Sequence, residues 1–352
     1  VSARLRVGVI GCGNIAYWAH LRVLRRMREA QLIAASDPDP IARESVARLV
    51  KIPIFECADD LLARSDIDAV VICAPPHLHH KLALDACAAR KHIFMEKPLA
   101  MSAEEGRSIV RAVAGAGLVA MMGFNRRFHP VIERARALIA QGRLGKIYAV
   151  QSASCQPQPM STMAEWRKHR ASGGGVMLEL ASHHIDLIPW LIDDQIARAE
   201  ARIVSELTEA DSAWMHLSTV HGVDVTSFFS FRTGLADWIQ LVGERGTLTI
   251  SRSHQTPELR VARRFGYGTR RALAIPRITN FRWRLMCLAR PSFDPSRLPV
   301  LEAFVALVNG SSREVPTLDD GLRSLEVILA AEESACAGRA ISLDGESACV
   351  SS

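Results

Sequence analysis

Short apolar runs and amphipathic stretches alternate over the first third of the chain. Runs rich in Val, Ile and Ala predict strands over 5–10, 31–36, 69–74, 92–95 and 118–123. Between them, apolar residues return every three or four positions, which predicts helices over 14–29, 40–50, 78–90 and 102–116. A strand regularly followed by a helix is the pattern of a parallel sheet covered on both faces.

Beyond residue 125 the rhythm changes. A helix is predicted over 130–141, a strand over 146–153 and a glycine-led helix over 173–192. Strand-like segments follow at 201–207, 213–219, 223–231, 238–242 and 247–251, with turn residues and no helix between them. They are expected to form an antiparallel meander. Helices over 301–308 and 318–337 close the chain. The expected fold class is α/β over 1–125, followed over 126–352 by an α+β domain with a mostly antiparallel sheet.

Composition agrees with two folded domains. The 352 residues are too many for one ordinary core, and 49% are apolar against 23% charged. Basic residues outnumber acidic ones 43 to 37, but the excess is local. Ten arginines and one acid, Asp294, fall within 260–299, which leaves the rest weakly acidic. The eight cysteines form no CxxC pair and several sit in apolar runs, as small core residues of a reducing compartment do. A cytoplasmic location is expected. The longest uncharged apolar stretch, about 14 residues, falls short of the ~20 that a membrane span needs. Leu5–Ile10 is also too short for the core of a signal peptide.

The first chemical signal follows the first strand. Gly11-Cys12-Gly13-Asn14-Ile15-Ala16 fits G-x-G-x-x-A at a strand-to-helix junction. There, Gly11 permits a tight turn, Gly13 lets a pyrophosphate approach the backbone, and Ala16 allows close helix–strand packing. Free N–H groups at the helix start suit phosphate oxygens. This makes 1–125 a Rossmann NAD-binding domain. Asp37 ends the second strand, 24 residues after Gly13, where an acid binds ribose hydroxyls and repels a 2′-phosphate. NAD is therefore expected ahead of NADP. The same aspartate also opens the turn Asp37-Pro38-Asp39-Pro40, so a purely structural role stays open.

These residues resemble the glucose–fructose oxidoreductase, inositol dehydrogenase and rhizopine-catabolism (Gfo/Idh/MocA) family over nearly the whole chain. The likeness rests on the glycine fingerprint, Ala74-Pro75-Pro76-His77-Leu78-His79, Met95-Glu96-Lys97-Pro98, Gly123-Phe124-Asn125-Arg126-Arg127-Phe128, and Gly173-Gly174-Gly175 leading to Glu179, His183 and Asp186. It implies a nicotinamide cofactor touched by Gly11, Gly13, Asn14, Ile15, Asp37, Ala74, Pro75, His79, Glu96 and Asn125. It also implies substrates among sugars, cyclitols and nucleotide sugars, and a homodimer or homotetramer. Lys97 matches the family's catalytic-site lysine.

Physical chemistry supports that lysine independently. Pro98 biases Lys97 away from helix, and ligands bind at the carboxyl ends of strands in open α/β sheets. An ammonium there stabilises charge developing on a reacting oxygen. Glu179, His183 and Asp186 fall at i, i+4 and i+7, on one helix face expected to point to the domain cleft. His183 suits proton transfer, since imidazole titrates near neutrality; a structural histidine is the alternative, and the preferred reading for His184. Glu179 stands where many family members have aspartate, and Ala74 where threonine is commoner. Either the carboxylate keeps its role with a different substrate, or Lys97 and His183 carry the chemistry alone.

Arg126, Trp166 and Arg167 are candidate substrate contacts and equally candidate packing residues. His77, His79 and His80 share no face and lack a carboxylate cluster, so no metal is expected. The function implied is an NAD-dependent oxidoreductase acting on a secondary alcohol. Its rivals are an NAD-dependent glycoside-cleaving or epimerising enzyme with transient oxidation, and a non-catalytic cofactor- and sugar-binding regulator. Residues 260–299 read as a solvated basic loop or as arginines facing a nucleotide-sugar diphosphate, with a peripheral membrane contact as the lesser reading. No nucleic-acid module accompanies the charge, so no nucleic-acid partner is expected.

Overall fold

The structure, a computed structural model, describes residues 4–251, 258–262, 269–272 and 294–343. The chain divides into two compact units. The first contains residues 1–128, 171–173 and 295–325, and the second 129–170, 174–294 and 326–352.

The first unit is built on a six-stranded sheet in the order β3-β2-β1-β4-β5-β6. Its strands are β1 (Leu5–Ile10), β2 (Ala30–Ser36), β3 (Ile54–Phe55), β4 (Ala69–Ile72), β5 (His92–Met95) and β6 (Ala120–Met122). All pairings are parallel. The direction of winding reverses between β1 and β4, the place where open α/β sheets bind ligands. Helix α1 opens as a π-helical turn, Ala16–Leu21, and continues as Arg22–Leu24. The others are α2 (Pro40–Leu49), α3 (Ala58–Leu62), α4 (His79–Ala88) and α5 (Ala103–Gly115). Two of them begin as local chemistry dictates. Asp39 Oδ1 accepts the Ile41 N–H at the start of α2, and Ser102 Oγ accepts the Glu105 N–H at the start of α5.

Val7, Val9, Val71, Phe94 and Met121 of the sheet share one core with Leu21 and Leu24 of α1. A later segment joins them. Val300, Leu301, Ala303, Phe304 and Val305 of α8 (Arg297–Val308) lie in the same cluster, with Phe304 edge-on to Phe94 at 5.6 Å. This burial places 295–325 in the first unit.

The second unit carries a nine-stranded sheet in the order β14-β13-β12-β11-β7-β10-β9-β8-β15. Its strands are β7 (Ile147–Cys155), β8 (Ile196–Val204), β9 (Ser212–Thr219), β10 (Asp224–Ser230), β11 (Ala236–Gly243), β12 (Gly246–Ser251), β13 (Glu258–Ala262), β14 (Thr269–Ala272) and β15 (Ile341–Ser342). The sheet is antiparallel except at one place, which corrects the expected meander. β7 lies between β10 and β11 and pairs parallel with β10. Residues 152–155 of β7 are buried on both faces, as befits a central strand.

Helices α6 (Pro130–Ala140) and α7 pack in this unit. Helix α7 begins as a π-helical turn, Met177–Ala181, and continues as Ser182–Ile192. On the sheet's outer face Trp214 is 46% exposed and stacks on Phe228, ring centres 4.9 Å apart, beneath the Arg202 guanidinium. Helix α9 (Leu318–Ala337) begins in the first unit and ends in the second.

Of the arginine-rich segment, Arg260 pairs with Glu258 and Arg297 donates to the Trp18 carbonyl. Arg270 and Arg271 lie on β14, and the other arginines of 260–299 fall outside the described residues. Among the described residues, no helix is long and apolar enough to cross a membrane.

Candidate active site

The carboxyl edge of the parallel sheet gathers most of the cofactor candidates. Gly11 leaves β1 at φ +91°, and a Cβ there would lie 2.8 Å from the Ala74 nitrogen, so the turn excludes any side chain. A Cβ on Gly13 would meet nothing within 4 Å, and Gly13, Asn14 and Ile15 are exposed. This is open space at a helix start, as an approaching pyrophosphate requires.

Asp37 at the end of β2 closes the loop from the other side. Its Oδ2 accepts the Cys12 N–H at 2.6 Å and its Oδ1 the Asp39 N–H at 2.8 Å. The aspartate thus shapes the turn, as its structural reading required, and its half-buried carboxylate lies beside the glycine loop. Arg43 lies under the same turn, donating to the carbonyls of Asp37 and Pro38. Burial, then the charge of Asp37, pushes the Cys12 thiol up to about 12, so it is no nucleophile.

Ala74 and Pro75 follow β4 and are half-buried. His79 is only 1% exposed, with Nδ1 2.7 Å from the Pro98 carbonyl and Nε2 2.9 Å from that of Ala74. Its ring braces the two segments that follow β4 and β5. His77 Nδ1 lies 3.0 Å from the Ser172 carbonyl and His80 Nε2 3.1 Å from Ser108 Oγ, so the three histidines point to different partners. Among the described residues, no group of three His, Cys, Asp or Glu side chains is arranged to hold a metal.

After β5 come Glu96 and Lys97, both half-buried. Glu96 Oε1 lies 2.7 Å from His20 Nε2. Burial alone would raise the Glu96 carboxyl, but His20 and the Lys97 charge hold it below the usual range. His20 was not singled out in the sequence; a histidine on the buried side of the helix after a glycine fingerprint was the available signal. In the turn after β6, Asn125 donates to Ser296 Oγ at 2.7 Å and Arg126 is buried.

The second unit contributes another group. Gly174 is where the chain must be bare, because a Cβ there would lie 2.2 Å from the Arg167 carbonyl. The turn Glu165–Lys168, which carries half-buried Trp166, therefore rests against the approach to α7. Arg167 uses this closeness. Its Nε donates to both carboxylate oxygens of Glu179, its Nη2 to Oε2, and its Nη1 to Gln158 Oε1 at 3.3 Å. The structure thus joins a candidate catalytic carboxylate to a candidate substrate arginine in a two-pronged ion pair. His183 is half-buried between buried Ser182 and His184. His184 Nδ1 lies 2.9 Å from Ser152 Oγ, which in turn lies 2.8 Å from Ser227 Oγ. That network fastens α7 to the sheet.

Residues 5–124 match the model of an oxidoreductase family with an NAD-binding Rossmann fold, and residues 132–249 match the GFO/IDH/MocA C-terminal domain. The chain belongs to the Gfo/Idh/MocA family. It is 27% identical to inositol 2-dehydrogenase of Rhizobium meliloti (strain 1021), over 96% of this chain and 99% of that one. It is 31% identical to inositol 2-dehydrogenase 3 of Saccharopolyspora erythraea, over 70% and 73%. The crystal structure of a putative myo-inositol dehydrogenase from Sinorhizobium meliloti 1021 aligns at a TM-score of 0.77 with 26% identity, covering 97% and 100%. As a Gfo/Idh/MocA protein the chain is an oxidoreductase whose cofactor is NAD. The bare Gly13, the free helix start and the Asp37 carboxylate fit that group.

Proposed function

We propose that this Gfo/Idh/MocA protein oxidises a secondary alcohol of a cyclitol, free sugar or nucleotide sugar, or reduces the corresponding ketone. What carries the reading is the place of Lys97. It follows β5 on the same sheet edge as the glycine loop and Asp37, beside a carboxylate held ionised. The names of the two inositol dehydrogenases support a cyclitol first.

Bound NAD supplies the hydride acceptor. In this reading Lys97 donates a hydrogen bond to the reacting oxygen and stabilises the charge that grows there as its proton leaves. His183 takes that proton in oxidation and returns it in reduction. Glu179, committed to Arg167, orients the site rather than serving as a second base. Pro75, His79 and Asn125 shape the loops on the cofactor side. In the same reading Arg126 and Trp166 face the substrate, and copies of the chain assemble as a homodimer or homotetramer.

The test is a screen of NAD reduction with inositols, free sugars and UDP- or dTDP-sugars. NADH should accumulate in proportion to the alcohol consumed. Substrate-independent absorbance across the whole panel would reject the reading.

A further inference from the structure

We propose that Ser296 and Asp320 are positioning residues for the turn after β6, which carries Asn125 and Arg126. The functional part of the proposal rests on the reading of Asn125 as a cofactor-side residue given above; its geometric part does not. Both residues come from the segment 295–325, which belongs to the same unit as the turn.

The approach starts at the edge of the sheet. β6 is the edge strand of the parallel sheet, and an edge strand turns outer N–H groups away from its neighbour. At this edge the Pro316 carbonyl accepts the Met122 N–H at 3.0 Å. Gly321 allows the close fit, since a Cβ there would stand 2.9 Å from Met122 Sδ. The chain then passes into the single turn Asn125–Phe128, where Asn125 is half-buried and Arg126 is buried.

Two polar contacts hold that turn. At its start Asn125 Nδ2 donates to Ser296 Oγ at 2.7 Å, and Ser296, just before α8, is 1% exposed. An amide whose NH2 is committed to one acceptor has its orientation set, so Ser296 decides how the Asn125 side chain is turned. Near the end of the turn Arg127 Nη1 donates to Asp320 Oδ2 at 3.3 Å, the two side chains being 8% and 18% exposed. The carboxylate is itself fixed. Its Oδ2 accepts the Thr317 N–H at 2.8 Å while Thr317 Oγ1 accepts the Asp320 N–H at 3.1 Å, a reciprocal cap on the first turn of α9. Arg323 donates to Oδ1 at 2.7 Å. Burial would raise the Asp320 carboxyl, but the Arg127 charge, the Thr317 N–H and Arg323 hold it below the usual range. The Arg313 guanidinium lies over Phe128, 5.5 Å from the ring centre. The turn is therefore held at 125, 127 and 128 by partners from one distant segment, and Arg126 is carried between them.

The experiment measures NAD affinity by calorimetry and follows the Asn125 side-chain amide by NMR, both in the full chain. The amide signal is identified by its loss in Asn125→Ala. The other variants are Ser296→Ala, Asp320→Asn, Asp320→Glu and the double variant Asn125→Ala/Ser296→Ala. Ser296→Ala should shift the Asn125 signal and weaken NAD binding about fivefold, and in the Asn125→Ala background it should add nothing. Asp320→Asn should weaken NAD binding by a similar factor. Asp320→Glu, which keeps a charge for Arg127, should stay within about twofold of the unaltered protein. An unmoved Asn125 signal in Ser296→Ala overturns the proposal. So does a loss of equal size with Asn125 already replaced. If Asn125→Ala weakens NAD binding while Ser296→Ala only lowers the melting temperature, the contact is stabilising and nothing more, and the proposal again fails. Should Asp320→Asn not fold, Ser296→Ala decides. A signal that moves in Ser296→Ala, while Asn125→Ala binds NAD as tightly as the unaltered protein, would reject the cofactor reading of Asn125 and leave the geometric part standing.

Discussion

At the scale of single residues, carboxylates organise both groups of candidates. Asp37 holds the Cys12 N–H of the glycine loop, so its replacement has two consequences. Asp37→Ser should weaken NAD binding through the loosened loop. It should also narrow the preference over NADP, because Arg43 beneath the turn can then meet a 2′-phosphate unopposed. Calorimetry with both cofactors measures this, and tighter NADP binding by the unaltered protein would contradict the role of Asp37. In the second unit the Arg167–Glu179 pair gives a different expectation. Arg167→Ala leaves a mostly buried carboxylate without its guanidinium and should cost about 1–3 kcal/mol of stability in a denaturant titration. Glu179→Asp shortens the reach to Arg167, so activity should fall about tenfold and survive, as suits an orienting group rather than a base.

At the scale of elements, two glycine-rich approaches each lead into a π-helical turn. Both turns lie on helices that carry candidate residues, His20 on α1 and Glu179 on α7. Gly174→Ala would drive a Cβ into the Arg167 carbonyl, so the turn 165–168 must move away. The variant should melt at lower temperature and lose the Glu179 contact, while NAD binding in the other unit persists; calorimetry and thermal melts together check this. The loop before β9 depends on Asp211. Burial would raise its carboxyl, but N–H groups of Leu207, Glu206 and Thr208 and the Arg232 charge hold it below the usual range. A carboxyl depressed on folding contributes stability that is present above its unfolded pKa and lost as pH falls through the folded one. Asp211→Asn should therefore lower stability at neutral pH by about 1–3 kcal/mol and flatten the acid side of the stability profile.

Much of this element plan was legible in the sequence, and for physical reasons. Strands such as Leu5–Ile10 and His92–Met95 are short apolar runs between turn residues, and they appear where the pattern put them. The two-residue β3 and five-residue α3 are too short to express a period. The insertion of β7 between β10 and β11 depends on pairing between distant segments, which local pattern does not encode. Glu179 was readable as a candidate. Its partner was not, because the contact with Arg167 depends on a close backbone approach at Gly174.

At the scale of the whole molecule, Lys97 belongs to one unit, with the carboxyl edge of the parallel sheet, and His183 to the other. The outer sheet face, with exposed Trp214 on Phe228, is where a second copy would be sought; Trp214→Glu should lower the mass seen by light scattering if that face joins protomers. Lys97 is proposed to serve the oxidation of a secondary alcohol by NAD. The most direct test of this role follows NADH formation on the best alcohol of the panel, with NAD affinity measured in parallel for the unaltered protein, Lys97→Ala and His183→Ala. Stoichiometric NADH is expected from the unaltered protein and turnover lower by about 100-fold or more in each variant, with NAD affinity within about threefold. Near-normal turnover in Lys97→Ala, or tightly held NAD that no alcohol reduces, would contradict this role.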